Sequence, residues 1–177
     1  MIRRIAVAAA LSLIAAPALA LDLPARKPGL WQLDMSFEGR NMPPMKTQQC
    51  IDAETDRMLN AVGSSMGKEA CAKQDIQRVG DTIVVDSVCD FGGAKTVSHG
   101  VVSGDFSSAY TVKVDSKREG GRAIPGMPAD GSSHMTIAAK WLGACKAGQK
   151  PGDIIMPNGM TMNIRNMPAM PGAPPKR

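Results

Sequence analysis

Leu30-Trp31-Gln32-Leu33-Asp34-Met35-Ser36-Phe37-Glu38 alternates without a break: Trp31, Leu33, Met35 and Phe37 are apolar, and the residues between them are polar. Successive side chains of a strand point to opposite faces, so this pattern reads as a strand buried on one side and wet on the other. It recurs downstream. Tyr110, Val112 and Val114 interleave with Thr111, Lys113 and Asp115, and Met135, Ile137, Ala139 and Trp141 with His134, Thr136, Ala138 and Lys140. Shorter β-rich runs at 83–91 and 96–102 are separated by Gly92-Gly93, and Gly104-Asp105 follows the second. Asn158-Gly159 between Ile154-Ile155-Met156 and Met160-Thr161-Met162 is a strong hairpin signal. One helix interrupts the strands: Asp52 caps it, Met58, Leu59 and Val62 share a face, and Gly63 ends it. The Gly- and Pro-rich stretch 119–133 reads as a long mobile loop. The expected fold is mainly β, a single antiparallel meander in a barrel-like or strongly curved sheet of seven or eight strands with one short helix.

The termini read differently. Arg3 and Arg4, the apolar run 5–16 and Ala18-Leu19-Ala20 form the three parts of a signal peptide, so 1–20 is expected to be cleaved. Pro17 interrupts that run, and no later segment offers the roughly 18 to 20 apolar residues of a membrane span. Residues 21–165 then form one β-rich domain, large enough to bury about 70% of its extended-chain surface. The Met- and Pro-rich 166–177 is expected to be a disordered tail. The implied location is periplasmic or secreted.

Export gives the four cysteines a meaning. Cys50, Cys71, Cys89 and Cys145 form no C-x-x-C pair and fit no zinc spacing, so an oxidising compartment makes two disulfides the expectation. Three connectivities are open. Cys71 and Cys89 flank the expected turn at Gly80-Asp81 almost symmetrically, which favours joining them and leaves Cys50 for Cys145, without closing the alternatives.

Composition excludes several functions. Losing the leader lowers the net charge from +5 only to +3, and six aromatics are dispersed among charges of both signs. A nucleic-acid groove needs clustered basic residues with stacking rings. The two histidines, His134 on the solvent face of its strand and His99 between Val97 and Val101 on an apolar face, read as structural, the second buried. No Gly-x-Ser-x-Gly elbow or phosphate loop occurs. Asp86 and Asp90 on one strand face stand about 13 Å apart at roughly 3.3 Å per residue, beyond the roughly 9.5 Å limit for paired glycosidase carboxylates. Nucleophile, base and orienter do not assemble, so no enzyme is expected.

Two binding chemistries remain. A barrel of about eight strands holds one small ligand, and Trp31, Phe37, Tyr110 and Trp141 line its interior as either ligand wall or plain core. The expected partner is accordingly a small apolar ligand or an envelope protein, bound by a monomer without a resident cofactor. The alternative is copper. Twelve of the 13 methionines follow the leader, and Met156, Met160 and Met162 cluster about the hairpin. Thioether sulfur suits Cu(I), although methionine also fills irregular apolar gaps.

Lys27-Pro28-Gly29-Leu30-Trp31, Gln48-Gln49-Cys50-Ile51-Asp52, Val84-Val85-Asp86-Ser87-Val88-Cys89, Lys140-Trp141-Leu142-Gly143-Ala144-Cys145, Lys150-Pro151-Gly152-Asp153 and Met156-Pro157-Asn158-Gly159-Met160 together form a pattern. It is similar to the exported Gram-negative family labelled domain of unknown function 3617. That resemblance implies a β-rich periplasmic or secreted protein and brings no activity and no catalytic residues.

Overall fold

The alternating stretch forms β1 (Gly29–Glu38), from which the sheet extends in both directions. In the computed structural model of this chain the described residues are 23–39, 43–122 and 126–167, with the backbone alone described for 63–69. The expected leader, 1–20, and residues 168–177 of the expected tail lie outside them. After β1 come β2 (Met45–Ile51), α1 (Ala53–Ala70), β3 (Cys71–Val79), β4 (Thr82–Asp90), β5 (Ala94–Gly104), β6 (Ala109–Gly120), β7 (Ser132–Gly143), β8 (Asp153–Ile155) and β9 (Thr161–Asn163). A 3-10 turn, Ile164–Asn166, follows and takes in Asn166, which was expected to begin the tail.

All the strands form one antiparallel sheet, in the order β3-β4-β5-β6-β7-β1-β2-β8-β9. The described strands therefore number nine, against seven or eight expected. The additional strand is β2, whose Lys46, Thr47, Gln48 and Gln49 break the apolar alternation, while its neighbours β1 and β8 hold it by pairing. The sheet is open. Closing a barrel would require β3 to pair with β9, and among the described residues these are the two edges. The chain instead crosses from β2 to the far edge through α1, which contacts β2, β3, β4 and the 3-10 turn.

Helix α1 starts where the sequence indicates. The Thr55 N–H donates to Asp52 Oδ1 at 2.8 Å and the Asp52 N–H to Thr55 Oγ1 at 2.9 Å, a reciprocal cap. The Thr55 N–H, together with the Thr55 hydroxyl that donates to Asp52 Oδ1 at 2.8 Å, holds the Asp52 carboxyl below its usual range. Gly63 does not end the helix, which runs to Ala70. A single interior glycine costs only about 1 kcal/mol relative to alanine, too little to stop a helix that packs Leu59 on the core. The loop after β6 is likewise shorter than expected, because both flanking strands extend into it and the Arg118 N–H bonds to the Gly131 carbonyl at 3.0 Å.

The core forms on the face that carries α1. Trp31, Ile51 and Ala139 are buried together, with Leu33, Leu59, Tyr110 and Trp141 packed around them. Gly29, at φ 132°, lets β1 approach β7, since a Cβ there would strike the Gly143 carbonyl and the Trp141 indole nitrogen. Two disulfides join Cys50 to Cys145 and Cys71 to Cys89. The second lies between cross-strand partners of the β3–β4 hairpin.

Candidate functional site

Cross-strand partners share a face, so the pairing registers sort the residues of the sheet into transverse rows. On the α1 face one row crosses β1, β7, β6, β5, β4 and β3 as Met35, Ile137, Val112, Val102, Ile83 and Arg78. The next row is Phe37, Met135, Val114, Gly100, Val85 and Ile76. Five steps of about 4.8 Å give each row a length of about 24 Å. Ile83 and Val102 are buried, but every side chain of the Gly100 row is only half-buried. Beyond it Ser133, Ser116, Ser98 and Ser87 stand in register.

Gly100, itself buried, is the one position of this row without a side chain. A Cβ built there would make only ordinary contacts, 3.7 Å from Val85 Cβ and 3.8 Å from Val114 Cγ2, and the backbone is not in the left-handed region. A Cβ therefore fits there between two valines. The side chains of this row form a contiguous, half-buried apolar band. Met35, its β2 partner Met45, and Met135 add adaptable thioether side chains to it.

The four aromatics read as a possible wall separate into two groups. Trp31 is 0% exposed, its indole N–H donates to the Lys27 carbonyl at 2.8 Å, and its ring lies 5.5 Å from that of Tyr110. Tyr110 stacks on Phe106 at 5.1 Å and accepts a hydrogen bond from Arg26 Nη1 at 3.3 Å. Half-buried Trp141 donates to the Pro28 carbonyl at 3.1 Å, with the Lys27 ammonium 3.5 Å above its ring. These three are tied to the segment before β1 and to the core. Phe37 alone lies in the Gly100 row.

A buried ion pair underlies that grouping. Arg26 Nε donates to Asp56 Oδ1 at 2.7 Å, and Arg26 Nη1 to Gln49 Oε1 at 2.8 Å. The sequence gives no sign of it, because Asp56 reads as an ordinary acid in the first turn of a helix and Arg26 as part of a loop.

The opposite face carries the charges. Asp86, His99, Asp115 and His134 are successive cross-strand partners on β4 to β7. His99 Nδ1 lies 2.8 Å from Asp86 Oδ1, and His134 Nδ1 lies 2.6 Å from Asp115 Oδ1. The expectation of a buried His99 is corrected: β5 turns Ala94, Gly100 and Val102 inward, so His99 shares the solvent face with Lys95 and Val97. The Asp115 hydrogen bond raises the His134 pKa. Among the described residues no three His, Cys, Asp or Glu side chains converge as a metal site, and no hydroxyl or thiol bonds to either imidazole.

Met156 is half-buried, Met160 is 58% exposed and Met162 is 37% exposed. The Asn158-Gly159 turn brings Met156 and Met160 together, the Met156 N–H donating to the Met160 carbonyl at 2.8 Å. Met162 pairs with Ile154, not with another methionine.

Two cavities lie elsewhere. One of about 510 Å³ is lined by Asp52, Lys150, Asn163 and Arg165, and Arg165 is already bonded to Asp52 and Glu54. The other, about 500 Å³, opens among Arg118, Glu119, Arg122 and Asp130. Among the described residues no helix is long and apolar enough to cross a membrane.

No curated protein and no solved structure matches the chain. The model of the family described as protein of unknown function (DUF3617) matches residues 26–145. That match covers more than half of the chain, from Arg26 of the buried pair to Cys145 of the long-range disulfide, and the chain belongs to this family.

Proposed function

We propose that this protein is an exported, non-enzymatic binding module of the cell envelope that holds a small apolar ligand against the α1 face of its sheet. The observation that carries the reading is the half-buried row through Gly100, where five apolar side chains flank a residue with no side chain. Folding tends to bury such a surface, so one left half-covered beside a well-packed core favours an added occupant. The two disulfides suit an oxidising compartment. The two His–Asp pairs lack an attached nucleophile, which supports a non-enzymatic role.

Gly100→Leu tests this reading. It adds a side chain to the row at a strand position where glycine is intrinsically weak. An environment-sensitive apolar fluorophore is expected to brighten with the natural protein and far less with the variant, while the variant melts at the same or a higher temperature. Equal brightening of both would count against this face.

A second reading is Cu(I) binding at Met156, Met160 and Met162. It is favoured by the turn that brings Met156 and Met160 together and by the exposure of Met160 and Met162.

A further inference from the structure

We infer that the ligand is a long-chain carboxylate whose head group is held by Arg78. This rests on the apolar-ligand reading and adds the polar end of the molecule. Arg78 ends one of the two apolar rows: it lies on β3, the edge strand, as the partner of Ile83. It is exposed, and among the described residues its side chain makes no ion pair or hydrogen bond.

The strands β1 to β7 contribute charge of one sign to this face. By the pairing registers, Asp34, Glu38, Asp75, Asp86, Asp90, Asp115 and Glu119 all fall on the opposite face, so the described residues of β1 to β7 place no carboxylate beside the apolar rows. Among the residues of β1 to β7 two cations stand on the α1 face, Arg78 and Arg118. Arg118 lies beyond the serine row and donates to the Arg122 carbonyl at 2.8 Å, which leaves Arg78 as the unengaged one.

An apolar floor with no acid and a free guanidinium at its end matches a molecule with an apolar chain and an anionic head. A planar guanidinium binds a carboxylate through two parallel hydrogen bonds. Length permits it: the row spans about 24 Å, longer than the roughly 15 Å that one acyl chain fills in a bilayer core of about 30 Å.

The test uses the full-length, disulfide-bonded chain with two probes of equal chain length, palmitate and hexadecanol, titrated by calorimetry at neutral pH and low salt. Palmitate is expected to bind about tenfold more tightly than the alcohol, a difference of about 1.4 kcal/mol. Arg78→Gln should remove that preference, Arg78→Lys should restore part of it, and Gly100→Leu should weaken both probes. Equal binding of the two probes, unchanged in Arg78→Gln, would overturn the head-group assignment and leave the apolar-ligand reading standing. Binding of neither probe, or self-association that covers the face, would overturn both.

Discussion

Arg26 grips both oxygens of Asp56, its backbone N–H reaching one at 2.8 Å and its Nε the other at 2.7 Å, with side chains only 8% and 1% exposed. Thirty residues separate the two in sequence. The pair fixes the segment before β1 against the first turn of α1, and through Gln49 and Tyr110 it reaches the core beside Trp31.

Removing one partner of a buried pair strands the other charge, which typically costs about 3–5 kcal/mol. Arg26→Ala is expected to lower the free energy of unfolding by that amount, read as a lower urea midpoint at unchanged slope. Arg26→Met combined with Asp56→Leu, which replaces both charges with apolar volume, should regain most of the loss. A shift below about 1 kcal/mol in the single variant, the range of exposed pairs, would mean that water reaches the site.

His134 offers a titration. The hydrogen bond its imidazole donates to Asp115 raises its pKa, desolvation works against this, and the charges of Asp115, Glu38 and Asp130 add to the rise. A raised folded pKa stabilises the protonated protein, so this contribution is complete below about 6.5, the unfolded value, and is lost as pH rises through the higher folded value. NMR of the imidazole should show a midpoint above 6.5, and Asp115→Asn should bring it down. An unchanged midpoint in the variant would remove Asp115 as the cause.

The copper reading has its own outcome. Should the hairpin methionines be ligands, Cu(I) competed against a chelator will bind, and replacing Met156, Met160 and Met162 with leucine will weaken it. Such replacements usually cost less than about 1.5 kcal/mol each, so the fold survives to report the result. Equal Cu(I) binding by the triple variant would take these residues out of the site.

Much of the sheet was legible because β1, β6 and β7 alternate cleanly and Asn158-Gly159 marks its own hairpin. β2 was not, since pairing on both edges, rather than its own pattern, makes Met45–Ile51 a strand. His99 was assigned to the wrong face because Val97 and Val101 seemed to define an apolar side, while the residue that turns inward is Gly100, which carries no side chain to signal burial. Trp31, Tyr110, Trp141 and Phe37 all fall on the apolar face as the alternation indicates, yet only the registers show that three serve the core and one the open row. Arg26 with Asp56, and Arg78 at the end of its row, depend on contacts between distant segments that no local pattern encodes.

An apolar molecule held along the row through Gly100 will travel with the protein when it is purified gently from cells that make it. Native mass spectrometry should then show one small apolar adduct per chain, lost on extraction with organic solvent and absent from Gly100→Leu prepared in the same way. A bare polypeptide mass in both proteins, or the same adduct on both, would contradict it.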